Sequence, residues 1–210
     1  MLEHLRSRWT KVMAPIARAL LSAHVTPDMV TWAGTIGVVA VSLICFPHGW
    51  LWQGVLLLLV FIFSDSLDGI MARTSGRSSD WGAFLDSTLD RIADGAVMGG
   101  LALYYVDAGN NAWWAGLAIV TLVLGQVTSY TKARGESLGY EVNGGLAGRA
   151  DRLLVSLLGA MLTGLGLNWG LPVCLVVLTV AGVITVAQRM TLVRHATTVA
   201  RGRAAGESQA

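Results

Sequence analysis

The chain has 210 residues, of which 54% are hydrophobic and 13% charged, with a formal net charge of +2 and a mean hydropathy of +0.59. That composition excludes an ordinary soluble domain, in which about a quarter of the residues are charged, and points to a membrane protein. No nucleic-acid partner is expected.

Residues 1–24 open the chain with Leu2, Leu5, Trp9, Val12, Met13, Ile16, Leu20 and Leu21 at helical spacing, opposed by Glu3, Arg6, Arg8, Lys11 and Arg18. A basic polar face with a tryptophan among the apolar anchors predicts an amphipathic helix lying on an anionic membrane surface. The alternative is a helix packed on a partner. A cleavable signal peptide is not expected, because no uninterrupted apolar core precedes a small-residue cleavage site.

A helix needs about 20 apolar residues to cross the hydrocarbon layer, and the apolar runs predict six spans, near 27–46, 50–72, 81–106, 112–133, 150–167 and 171–190. Thr26 and Pro27 open the first as a capping residue and a first-turn proline. The transmembrane domain is expected over 25–195, with 196–210 as a disordered polar and basic tail. Cys45 and Cys174 lie within apolar spans and read as packing residues. Fourteen of the 15 Lys and Arg residues lie before span 1, in the 2–3 and 4–5 connections or the span ends that border them, or at and after the end of span 6, and the alternate connections carry none. By the positive-inside rule, both termini face the cytoplasm in a multi-pass cell-membrane protein.

Residues 64–95 contain six aspartates. A carboxylate at the bilayer centre costs at least roughly 2.5–3.5 kcal/mol on insertion scales, so its presence demands a function. Asp65 and Asp68 are three apart in span 2, followed by Gly69, Ala72 and Arg73; Asp86 and Asp90 are four apart in span 3, one turn beyond Gly82. Each pair occupies one helix face. The connection is short, so the two spans are expected as antiparallel neighbours whose carboxylates converge near the cytoplasmic side. Four like charges need a compensating cation, and an oxygen-only donor set suits Mg²⁺, Mn²⁺ or Ca²⁺. One or two Mg²⁺ ions, or Mn²⁺, gripping a phosphate ester fit best. Asp80 is accounted for as a cap or ion-pair residue; Asp94, which either joins the site or pairs with a neighbour, is left out of it.

Written out, Asp65-x2-Asp68-Gly69-x2-Ala72-Arg73-x8-Gly82-x3-Asp86-x3-Asp90 resembles the signature of the CDP-alcohol phosphatidyltransferases at every fixed position. The resemblance implies an all-α integral membrane protein, a six-helix homodimer that transfers a phosphatidyl group from CDP-diacylglycerol to an alcohol and releases CMP. It implies that Asp65, Asp68, Asp86 and Asp90 ligate divalent metal in a cytoplasm-facing site, with Asp90 also the general base. It further implies CDP-diacylglycerol contacts from Asp28, Met29, Val30 and Thr31, from Gly69 and Arg73, and from a hydroxyl in the following loop, Ser79.

A second polar cluster lies at residues 129–152. Ser129, Lys132, Arg134 and Arg152 could hold a phosphate monoester, although topology alone would place cations here. Within the family the chain is most similar to bacterial members that use inositol phosphate, which implies these four positions as the acceptor pocket, with Arg189 or Arg194 as a fifth and Arg194 the preferred choice. Glycerol 3-phosphate is the competing acceptor. An intramembrane prenyltransferase is disfavoured by the glycine and arginine positions between the aspartates. An ion transporter is disfavoured because spans 2 and 3 lack the helix-breaking proline of a midplane site.

Overall fold

The computed structural model describes residues 13–75 and 79–207. Every regular element among the described residues is a helix: α1 (Met13–Ser22), α2 (Pro27–Cys45), α3 (Leu51–Ser75), α4 (Asp80–Val106), α5 (Ala112–Ser137), α6 (Arg149–Gly164) and α7 (Gly170–Glu207). They form two compact units, α1–α4 and α5–α7. Among the described residues, three helices are long and apolar enough to cross a membrane: α2, α5 and the Gly170–Val199 part of α7. Shorter apolar stretches make up α1 and the Leu51–Ile62 part of α3.

In the first unit, α2 is the element against which both α3 and α4 pack. Thr26 caps it, its hydroxyl accepting from the Met29 N–H at 3.3 Å. It ends where Gly49 adopts φ +76° and the Trp50 N–H reaches back to the Cys45 carbonyl at 2.9 Å, a left-handed closure that glycine makes at little steric penalty. Close approach depends on small residues. A side chain at Gly37 would overlap the Phe61 ring, one at Gly54 would meet Cys45 and Phe46, and one at Gly100 would run into the Ser42 backbone carbonyl. Phe46, Leu51, Leu58, Leu89, Val97 and Leu101 fill the space between.

Of the expected N-terminal helix, residues 1–12 lie outside the described residues. The remainder, α1, buries Ala17 against Ile70 and Met71 of α3, with Met13, Leu20, Leu21, Val25 and Val30 packed around them. Part of its apolar face is therefore covered by protein, while Ile16 and Arg18 stay exposed.

In the second unit, α7 packs against both α5 and α6. Leu171, Leu175 and Leu178 are buried along α7, and the Thr121 and Thr179 hydroxyls meet at 2.8 Å between α5 and α7. Gly159 and Gly170 sit where a side chain would collide with the neighbouring α7 and α6 chains. The 16-residue α6 spans about 24 Å at ~1.5 Å per residue, short of the roughly 30 Å hydrocarbon layer. Helix α7 continues to Glu207, through residues whose composition predicted an irregular tail from 196. Alanine and arginine there are strong helix formers.

Gly100→Ala should destabilise the protein by about 1–3 kcal/mol through overpacking at the α2–α4 crossing. Gly99→Ala, where an added Cβ meets nothing within 4 Å, should lose no stability. Denaturant unfolding of both variants in detergent checks the contrast.

Candidate active site

The N-terminus of α4 is built by Ser79, whose hydroxyl accepts from the Gly82 N–H at 3.1 Å. This gives the residue expected to contact the lipid nucleotide a defined structural role as the helix cap. One turn further on, Asp86 is exposed and Asp90 half-buried, and their four-residue spacing places them on one face of the helix. Gly82 precedes them on that face. Among the described residues, the nearest atom to a Cβ added there is the Ser79 hydroxyl at 3.5 Å. Thus packing among the described residues does not require glycine at this position.

Arg91 stands between two carboxylates, its Nη2 lying 3.7 Å from Asp90 and 3.8 Å from Asp94. The distances are those of loose ion pairs rather than short charge-assisted hydrogen bonds. Asp94 and Asp90 thus share one partner on their own helix.

Gly69 is half-buried in α3. Asp65, Asp68 and Arg73 occupy helical positions in the same element, but their side chains lie outside the described residues. Among the described residues, no three His, Cys, Asp or Glu groups converge. The predicted donor set is thus half described. Its visible half, two carboxylates one turn apart beside an unencumbered glycine, fits a hard divalent cation that prefers oxygen ligands.

The start of α2 lies in the same unit. Asp28 is half-buried in the first turn, Met29 is exposed and Thr31 donates to the Pro27 carbonyl at 3.1 Å. Val30 packs against the Ala17–Ile70–Met71 cluster, so its side chain serves the core. Sequence reasoning missed Trp81, whose indole N–H donates to the Asp28 carboxylate at 3.2 Å. Its position beside Gly82 in the signature is the only hint the sequence carries.

In the second unit, Gly125, Ser129 and Lys132 recur along one face of α5, and the Ser129 hydroxyl donates to the Gly125 carbonyl at 3.1 Å. Arg152 from α6 is buried beside that turn; a Cβ on Gly125 would stand 3.1 Å from its Nε. Arg189 from α7 is also buried, donating to the Gly144 carbonyl at 3.1 Å and to the Thr128 carbonyl. The structure therefore gathers Ser129, Arg152 and Arg189 around one turn of α5. Lys132 is exposed at 3.7 Å from Glu136. Arg134 is exposed with Nη1 at 3.4 Å from the Ser137 hydroxyl. Arg194 is exposed and lies five residues beyond Arg189, about 7.5 Å further along the helix at ~1.5 Å per residue. Of the two arginines considered for the fifth position, Arg189 is the one beside Ser129's turn.

The profile of the CDP-alcohol phosphatidyltransferase family matches residues 24–143. A phosphatidylinositol phosphate synthase from Cutibacterium acnes is 58% identical over 204 residues, covering 93% of this chain and 99% of that protein. The crystal structure of the Mycobacterium tuberculosis phosphatidylinositol phosphate synthase with CDP-DAG bound matches with a TM-score of 0.84 at 40% identity, covering 87% of this chain and 94% of that one. The same protein in complex with manganese and citrate matches with a TM-score of 0.81 at 40% identity, covering 86% and 88% respectively.

Arg189→Ala should destabilise the protein by about 1–3 kcal/mol, because it strips a donor from the Thr128 and Gly144 carbonyls. Arg194→Ala should stay within about 0.5 kcal/mol of the parent, as exposed substitutions do. Unfolding midpoints in detergent distinguish the two.

Proposed function

The chain belongs to the CDP-alcohol phosphatidyltransferase family, and from that premise we propose that it transfers the phosphatidyl group of CDP-diacylglycerol to a hydroxyl of inositol 3-phosphate, releasing CMP. The observation that carries the reading is the open flank of α4, where Gly82, Asp86 and Asp90 share one face of the helix and no described side chain fills the space beside the glycine. In α3, Ile70 and Met71 turn toward α1, and the helical period puts positions 65, 68 and 72 on the other side of that helix.

Asp65, Asp68, Asp86 and Asp90 would hold divalent cation, one or two Mg²⁺ or Mn²⁺ ions. Bound there, the cation supplies neutralisation of the pyrophosphate charge and of the charge that gathers on departing CMP. Asp90 takes the proton from the acceptor hydroxyl as its oxygen bonds to the phosphorus of the phosphatidyl group. The phosphorus–oxygen bond to CMP breaks, and its electron pair leaves with the CMP phosphate. Held beside the cation, Asp90 would act as much by positioning the attacking hydroxyl as by basicity. Gly69, Gly82 and the first turn of α2 admit the nucleotide closely, and Arg73 reaches its phosphate.

Acceptor binding falls to Ser129, Lys132, Arg134 and Arg152, with Arg189 in preference to Arg194. Guanidinium forks and an ammonium around one turn suit a phosphate dianion, and the burial of Arg152 and Arg189 beside Ser129's turn supports that use. In the same reading α2–α7 are six spans, residues 1–22 lie along the cytoplasmic leaflet, both termini are cytoplasmic and two copies form a homodimer. The basic residues at alternate connections support the orientation.

The purified protein should release CMP from CDP-diacylglycerol and Mg²⁺ with inositol 3-phosphate, and neither with free inositol nor with glycerol 3-phosphate. Release with glycerol 3-phosphate alone would keep the reaction and overturn the acceptor. Asp90→Asn should lower kcat by about 10²-fold or more in a protein that still elutes as the parent does. Lys132→Ala and Arg152→Ala should raise the acceptor KM by about tenfold, the weight of one charge-assisted hydrogen bond, with less effect on the KM for CDP-diacylglycerol.

A further inference from the structure

Asp28 is an anion in a place that favours anions. It sits in the first turn of α2, near the start of α4, and helix N-termini present free N–H groups and positive potential suited to phosphate. A carboxylate there repels a phosphate. It can only accept hydrogen bonds, so what it can recognise on a lipid nucleotide is the uncharged nucleoside, through ribose hydroxyls or the cytosine amino group.

The carboxylate is held from the neighbouring helix. Trp81, the second residue of α4, donates its indole N–H to Asp28 Oδ2 at 3.2 Å across a sequence separation of 53 residues. Its ring is tilted 31° to Phe84 with centroids 5.9 Å apart. Indole is a donor and never an acceptor, so the contact occupies one carboxylate oxygen and leaves Oδ1 to accept from elsewhere. An interfacial tryptophan and a first-turn aspartate each have ordinary uses as membrane anchor and helix-dipole partner, but neither use requires the two side chains to meet.

We infer that Trp81 is a positioning residue for CDP-diacylglycerol, orienting the Asp28 carboxylate so that its free oxygen accepts a hydrogen bond from the nucleoside. The inference rests on the proposed use of CDP-diacylglycerol. Trp81 does not touch the reacting phosphorus in this account. It sets how firmly the nucleoside is held, and therefore acts on the KM for the lipid nucleotide and not on the acceptor.

The test compares wild type with Trp81→Phe, Trp81→His, Asp28→Ala and the Trp81→Phe/Asp28→Ala double variant. Two readouts serve: CMP-release kinetics and calorimetric titration of CDP onto the detergent-solubilised protein. Trp81→Phe keeps a ring and loses the donor; it should raise the KM for CDP-diacylglycerol and the Kd for CDP about five- to tenfold, with the acceptor KM and the unfolding midpoint unchanged. Trp81→His, which keeps a ring N–H, should recover part of that loss. On the Asp28→Ala background, Trp81→Phe should have no further effect, because the group it orients is gone. An unchanged CDP affinity in Trp81→Phe overturns the inference, as does an undiminished effect on the Asp28→Ala background. If wild type binds CDP but releases no CMP with any acceptor, the proposed reaction fails, and the CDP titrations still decide the role of Trp81.

Discussion

Carboxylates one helical turn apart, in a chain this apolar, set the terms for everything else. Two unit charges about 6 Å apart repel by about 3 kcal/mol at an effective dielectric of ~20, and the penalty rises as lipid displaces water around them. Asp86 and Asp90 stand at that spacing, and Arg91 is shared between Asp90 and Asp94. Arg73 and Arg91 are too few to balance the six aspartates of α3 and α4. In the proposed reading a divalent cation does so, which would also explain why the set contains oxygen donors alone. The same requirement accounts for the substrate class, since a cation gripped by protein carboxylates retains positions for phosphate oxygens.

The scaffold around this constraint works by close approach. In the first unit, α2 is the common packing partner: Gly37 lets it meet Phe61 of α3, Gly54 lets α3 meet Cys45 and Phe46 at its end, and Gly100 lets α4 meet its Ser42 backbone. These glycines are small because protein fills the space. Gly82 is different, since among the described residues the nearest atom to an added Cβ is the Ser79 hydroxyl at 3.5 Å. Capping by Thr26 and Ser79 fixes where α2 and α4 begin, and Trp81 ties those two beginnings together. In the second unit Gly125 makes room for Arg152, and Arg189 fastens α7 to the Thr128 turn and to the Gly144 loop.

Much of this was legible in the sequence wherever the signal was local. The Thr26-Pro27 start of α2 follows from capping chemistry, and α2 and α5 were readable as long apolar runs, whereas the capping role of Ser79 was not read. The four-residue interval between Asp86 and Asp90 gave their shared face directly. What stayed hidden depends on tertiary packing. Nothing local distinguishes Arg189 from Arg194, and only the folded unit shows Arg189 beside Ser129's turn with Arg194 exposed. Likewise Trp81 reads as an interfacial aromatic until α2 and α4 are brought together. The length of α7 was missed because a polar, basic composition was weighed above the helix propensity of its alanines and arginines.

The central claim is that the aspartates of α3 and α4 are a divalent-cation site, and Mn²⁺ binding followed by electron paramagnetic resonance reaches it without depending on turnover. Titrating the purified protein should show saturable loss of the free-ion signal at one or two Mn²⁺ per chain, competed by Mg²⁺ and weakened about tenfold or more when Asp86→Asn removes one ligand. Saturable binding that Asp65→Asn, Asp68→Asn, Asp86→Asn and Asp90→Asn all leave intact, or no saturable binding in wild type, would contradict the account.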